Sequence, residues 1–212
     1  MSTLSVEIQA FREQFSANVP EQVTQTLQGE TEKLVATGIA ERALGVGDQF
    51  PDAELMDAHG NQVSLGGLLQ NGPTIINFYR GEWCPYCNLE INAFQKMLPD
   101  IRAKGAQMVA ISPQTPDKSL TVEEKHNLEF PVLSDIGNKL ARDLGLVFDL
   151  PEALKTAYTN FGFALPDYNG DQSWTLPIPA TYVVDSNGLI TYAFVDADYS
   201  QRAEPQDVLN TL

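Results

Sequence analysis

Residues 74–87 read TIINFYRGEWCPYC. Thr74 to Tyr79 is a continuous apolar, β-branched run that follows Gly72-Pro73, the pattern of a strand covered on both faces. Trp83-Cys84-Pro85-Tyr86-Cys87 comes directly after it. Beyond the cysteines, Leu89, Ile91, Phe94, Leu98 and Ile101 form a broad helical stripe that stops before Gly105. Gln107 to Ser112 (QMVAIS) is a second buried strand, so the unit is β-α-β with parallel strands and a right-handed crossover. The cysteine pair sits where the first strand hands over to the helix.

Working outward, the alternation continues as a helix around Thr121 to Leu128, a short strand at Val132-Leu133 and a helix around Asn138 to Leu144. Residues 147–176 interrupt it with a helix (Leu154, Tyr158, Phe161) and an irregular, turn-rich stretch. Ala180 to Asp185 and Leu189 to Val195, joined through Ser186-Asn187-Gly188, predict an antiparallel hairpin, because Asn-Gly supplies the positive φ angles of a tight turn. Pro205 opens a closing helix. Upstream, His59-Gly60-Asn61 marks another β-hairpin. Leu4, Ile8, Phe11 and Phe15, then Val23, Leu27, Leu34 and Val35, predict a helical hairpin that packs on the domain or on a second copy of the chain. The fold class is α/β, a central mixed sheet flanked by helices, with an N-terminal hairpin extension at residues 1–44 and the main domain at 45–212.

Twenty-eight acidic residues against 13 basic ones leave a net charge of −15, which repels phosphate backbones and anionic headgroups. Nucleic acid and membrane are therefore excluded as expected partners. No stretch approaches a membrane span, the N-terminus lacks the pattern of a secretory signal, and the expected location is cytoplasmic. Two cysteines three positions apart could staple almost nothing, so their role is chemical.

The helix terminus at the cysteines explains which chemistry. Unpaired backbone N–H groups and the helix dipole stabilise a thiolate, lowering a thiol toward neutral pH. With two residues between them, one thiol can attack the other once that one is oxidised or joined in a mixed disulfide. Zinc would need further ligands, and His59 and His126 lie singly and far apart, so neither a metal nor another cofactor is expected.

With these residues in view, the chain from about 45 to 212 resembles the thioredoxin superfamily, and more closely its peroxiredoxin-like (AhpC/TSA) branch. The W-C-x-x-C of Trp83 to Cys87 and the Ile178-Pro179-Ala180-Thr181 segment carry the thioredoxin likeness, which implies a thioredoxin-like fold, a shielding role for Trp83 and a cis-proline at Pro179 facing the cysteines. The peroxiredoxin likeness comes from Phe78-Tyr79, Cys87 and Glu90, which match F-[FY]-P-x-x-x-T-x-x-C-x-x-E. Val109 to Ser112, Phe130 to Asp135 and Gly145-Leu146 extend it. This register implies that Cys87 is the peroxidatic cysteine and that Glu90 supports it. Arg80 and Cys84 stand where that pattern holds Pro and Thr, and Pro179 where it places an Arg. Arg80 or Arg202 is then the candidate for the missing guanidinium, with a surface or salt-bridging role as the alternative for each.

Two enzymatic readings share one dithiol/disulfide cycle. In the first, Cys87 attacks a hydroperoxide, Cys84 resolves the sulfenic acid, and a thiol reductant, a thioredoxin-type protein by the resemblance, restores the pair. In the second, Cys84 is the nucleophile and reduces a protein or small-molecule disulfide. A non-catalytic redox sensor is the third reading. Trp174 is read as core or loop packing, with lining a groove as the alternative.

Overall fold

A computed structural model describes residues 3–212, so residues 1 and 2 of the expected extension lie outside the described residues. The chain opens with α1 (Leu4–Asn18), α2 (Glu21–Ala36) and the single turn α3 (Ile39–Arg42). Each arm of the expected hairpin packs on the body more than on its neighbour: α1 lies on the helix that carries the cysteines, and α2 on a helix of the 147–176 segment. The start of α1 is tied down by Glu204, whose carboxylate accepts the N–H groups of Leu4 (3.1 Å) and Ser5 (2.7 Å). Those donors have no partner within the helix.

β1 (Glu54–Asp57) and β2 (Gln62–Ser64) form the hairpin expected around Gly60. After α4 (Leu65–Leu69) comes β3 (Thr74–Phe78), buried at all five positions. Cys84 is the N-cap residue of α5 (Pro85–Ala103), and Pro85 in its first turn has the fixed φ a helix start favours. β4 (Gln107–Ser112), α6 (Pro116–His126), β5 (Val132–Ser134) and α7 (Lys139–Asp143) continue the alternation. α6 begins at Pro116 rather than near Thr121, because Pro116 opens the helix and Asp117 adds a favourable acidic first turn.

The 147–176 segment is more ordered than its turn-rich composition predicts. It holds β6 (Val147–Asp149), α8 (Glu152–Asn160), α9 (Leu165–Asn169) and β7 (Thr175–Pro177), with β6 and β7 paired antiparallel as a small separate sheet. β8 (Ala180–Val184), β9 (Ile190–Val195) and α10 (Pro205–Asn210) complete the chain. The main sheet runs β2-β1-β5-β4-β3-β8-β9, parallel at β3/β4 and β4/β5 and antiparallel elsewhere.

Strand alternation splits the core into two layers. Ile76, Phe78, Ile111, Tyr182 and Val184 face one side, where Leu140, Leu144 and Leu146 cover them. Ile75, Tyr79, Met108 and Val183 face the other, against Ile91, Phe94, Leu98 and both cysteines. A third cluster joins Leu27 of α2 to Leu150, Leu154, Tyr158, Leu165 and Leu176, which is how the extension reaches the C-terminal end of β3. No described helix is long and apolar enough to cross a membrane.

Candidate active site

β3 ends at Phe78, and the chain turns through Tyr79 to Trp83 to deliver Cys84 and Cys87 to the first turn of α5. Gly81 makes the turn possible. Its φ is +151°, and a Cβ there would sit 2.4 Å from the Trp83 indole nitrogen, so any side chain would dislodge the tryptophan. Trp83 instead stacks on Phe163 (ring centroids 4.9 Å apart, 11° between planes) and tilts onto Tyr158 at 5.2 Å.

Both thiols are buried and free, and the Cys87 Sγ lies 2.8 Å from the Cys84 Sγ. Two nitrogen donors converge on Cys87. The backbone N–H of Arg80 approaches its sulfur at 3.5 Å and the Arg202 Nη2 at 3.3 Å. Arg202 is held in turn by Glu90, whose Oε2 lies 2.8 Å from the guanidinium Nε, and by the Gln201 carbonyl, which accepts from Nη1. Glu90 also accepts the Thr181 hydroxyl (3.2 Å), and that hydroxyl oxygen accepts from Asn77 Nδ2 at 3.0 Å. The buried carboxylate therefore orients the guanidinium, and the sheet orients the carboxylate.

Arg80 takes a different position. Its guanidinium lies over the rings of Tyr199 (4.3 Å), Trp83 (5.0 Å) and Tyr158 (5.7 Å) and donates to the Tyr158 hydroxyl. Such an aromatic cage suits a planar, weakly hydrated cation.

These charges divide the dithiol's two protons unequally. Burial pushes the Cys84 thiol up, but the neighbouring Cys87 S–H and the guanidinium groups of Arg80 and Arg202 outweigh it and bring Cys84 down to about 6. Cys87 is pushed well above its ordinary value by burial and by the Cys84 sulfur. The pair thus holds one negative charge at neutral pH, shared across a short S–H···S contact. Burial also raises Glu90, against the pull of Arg202, to about 7.

Cys84, Cys87, Arg80, Trp83, Glu90 and Arg202 all meet here. Of the two guanidinium candidates, Arg202 touches the Cys87 sulfur, and it is salt-bridged as well. Pro179 requires a correction: no described peptide bond is cis. Ile178 donates to the Leu146 carbonyl and Ala180 pairs with Phe78, so the chain passes from β7 to β8 as extended backbone, the conformation a residue before proline favours. Pro179 still borders the site, lining a cavity beside Arg80, Tyr158 and Tyr199. Trp174 stays in its loop near Lys155. Tyr199, Phe163 and Thr181 were not singled out from the sequence, and Tyr158 only as part of a helical stripe. Thr181, at the end of the Ile178-Pro179-Ala180-Thr181 segment, and Tyr199, three residues before Arg202, had a nearby signal.

A dithiol at the N-terminus of a helix, fed by an interior strand of a mixed sheet, defines a thioredoxin-like dithiol protein. The model of the AhpC/TSA family matches residues 46–193, and the chain belongs to that family. Among curated relatives, Peroxiredoxin Q, chloroplastic, of Oryza sativa subsp. japonica is 29% identical over 148 residues, 70% of this chain and 58% of the rice protein. The wheat (Triticum aestivum) protein of the same name is 28% identical over 162 residues, 76% of this chain and 64% of its own. The chain thus spans less than two thirds of these relatives' length. Among solved structures, Peroxidoxin BcpB from Mycobacterium tuberculosis superposes with a TM-score of 0.63 at 22% identity, covering 79% of this chain and 96% of its own. A peroxiredoxin-like protein from Aquifex aeolicus gives 0.63 at 16% identity, covering 81% and 87%. Both show the shared fold.

Proposed function

We propose that the protein is a thiol peroxidase in which Cys87 attacks a hydroperoxide and Cys84 resolves the resulting sulfenic acid to a Cys84–Cys87 disulfide. The observation that carries this reading is the Arg202 guanidinium on the Cys87 sulfur, fixed by buried Glu90. A guanidinium so placed draws the pair's shared negative charge toward Cys87 and stabilises the charge that develops on the departing oxygen. It fills the role left open by Pro179. Cys84 stands within reach of the sulfenic sulfur, so little rearrangement precedes resolution. An external thiol closes the cycle, a thioredoxin-type donor being the expectation from the family resemblance.

A second reading has support of its own. Cys84, not Cys87, lines the cavity beneath the N-terminal helices and is the thiol with the lowered pKa, as a disulfide reductase with Cys84 as nucleophile requires. The two separate in one experiment. By the peroxidase reading, fully reduced protein loses both thiols to hydroperoxide far faster than an unassisted thiol of matched pKa, and Cys87→Ser abolishes this. Slow peroxide oxidation with rapid exchange of a model disulfide at Cys84 would install the reductase instead.

Residues 1–44 are taken as an extension over the site and 45–212 as the catalytic domain, a division supported by the start of the family match at 46. A reducing, cytoplasmic setting fits a chain whose two cysteines are both in the site. Homodimer contact through the N-terminal helices is supported by their exposed Val6 and Val35.

A further inference from the structure

Arg80 is a buried cation whose counter-charge depends on the redox state. It is 3% exposed, its Nε has no acceptor, and its polar side-chain contact is a neutral tyrosine hydroxyl within a ring of aromatic faces. Arg202, by contrast, has the Glu90 carboxylate at 2.8 Å. Tyr158 first, and then the two cysteines, favour the charged guanidinium, so in the reduced protein the thiolate of the pair adds negative charge near Arg80. Oxidation to the disulfide removes it, and a buried ion without a partner is a costly arrangement that an incoming anion relieves.

Arg80 also lines the cavity from which Cys84 is reached. That space, about 220 Å³, touches Cys84 but not Cys87, and Phe11 and Leu27 of the N-terminal helices help enclose it with Trp83 and Tyr158. Its volume is on the scale of a small molecule.

We propose that the electron donor to the oxidised protein is a low-molecular-weight thiol carrying a carboxylate, with the carboxylate on Arg80 and the sulfur on Cys84. This rests on the dithiol/disulfide cycle proposed above, and it replaces the expected protein donor with a small one. The donor thiolate attacks the Cys84 Sγ, the Cys84–Cys87 bond breaks, and Cys87 leaves as a thiolate against the Arg202 Nη2 and the Arg80 N–H. A second donor thiolate attacks the donor sulfur of the mixed disulfide, which forms the donor disulfide and releases Cys84. Two donor thiols supply two electrons and two protons, and the protein disulfide takes them up.

The test uses full-length protein oxidised with diamide, so that the donor step is read without peroxide. Reduction by 3-mercaptopropionate, 2-mercaptoethanol and cysteamine is followed by Trp fluorescence, with rates expressed per thiolate. The carboxylate thiol should be faster than the neutral one by about tenfold or more, and the cationic thiol slowest. Propionate on Arg80 should slow the carboxylate thiol most, because that thiol loses its charge contact as well as its path to Cys84, and Arg80→Met should erase the preference. Equal rates for the three thiols, or no effect of propionate on the wild-type protein, would overturn the proposal even if Arg80→Met fails to fold. If the preference holds while peroxide does not oxidise the reduced protein, the donor assignment stands and the peroxidase reading falls.

Discussion

Arg202→Met removes the guanidinium that contacts Cys87 while keeping most of the side chain's volume. When the pair's shared charge sits on Cys87, opposite charges at the 3.3 Å separation of Nη2 and Sγ attract by about 5 kcal/mol at an effective dielectric near 20. Desolvation offsets much of that, and hydrogen bonds to charged groups are worth about 1.5–3 kcal/mol in practice. The variant should therefore react with peroxide about ten- to a hundredfold more slowly. It also leaves Glu90 buried beside no cation, so the fold should weaken, and more at alkaline than at acid pH, because a protonated Glu90 needs no partner. The assay is stopped-flow oxidation of the reduced variant, with the thiolate fraction read from absorbance near 240 nm, and with Arg202→Lys as a partial rescue that keeps charge without the fork. A folded Arg202→Met that reacts at the wild-type rate would refute the role assigned to Arg202 and leave it a structural ion pair.

Three other outcomes are expected. Titration of thiolate absorbance should show one ionisation at about 6, from the lowered Cys84 thiol, and a second well above the ordinary thiol range; two thiols ionising together near their ordinary value would contradict the shared proton. Glu90 is raised from 4.5 to about 7 by burial, so its protonated form favours the folded state, and stability present at low pH is lost as pH rises through about 7. Between about pH 5 and 8, urea unfolding should therefore show the wild type losing up to about 3 kcal/mol more than Glu90→Gln, whereas parallel curves would argue against a buried, titrating Glu90. Gly81→Ala should cost about 1–3 kcal/mol in the same assay and shift the Trp fluorescence, since its Cβ collides with Trp83; a neutral substitution would mean the turn relaxes freely.

What the sequence discloses follows from how local each interaction is. β3, the cysteine turn and α5 are legible because a buried strand, Trp-Cys-Pro-Tyr-Cys and a helical stripe are contiguous. The hairpins at Gly60 and Gly188 are legible because the turn residues themselves demand them. Arg202 is another matter. It stands 115 residues from Cys87, and only the gap left by Pro179 in the family pattern pointed to it, with Arg80, nearer the cysteines in sequence, as the rival. Separating the two takes three dimensions, which put one on the sulfur and the other in an aromatic cage. The β6–β7 pair escapes a period-2 reading because each strand is three residues long and its partner is distant.

The central claim is that Cys87 is the sulfur that meets peroxide. Cys84→Ser protein, reduced and treated with one equivalent of hydroperoxide, gives the most direct test when mass spectrometry locates the added oxygen in the presence of a sulfenic-acid trap. The account predicts a trapped sulfenic acid at position 87, formed at close to the wild-type rate. Unreactive Cys84→Ser, together with a Cys87→Ser variant that carries the sulfenic acid on Cys84, would contradict it and move the nucleophile to the cysteine that lines the cavity.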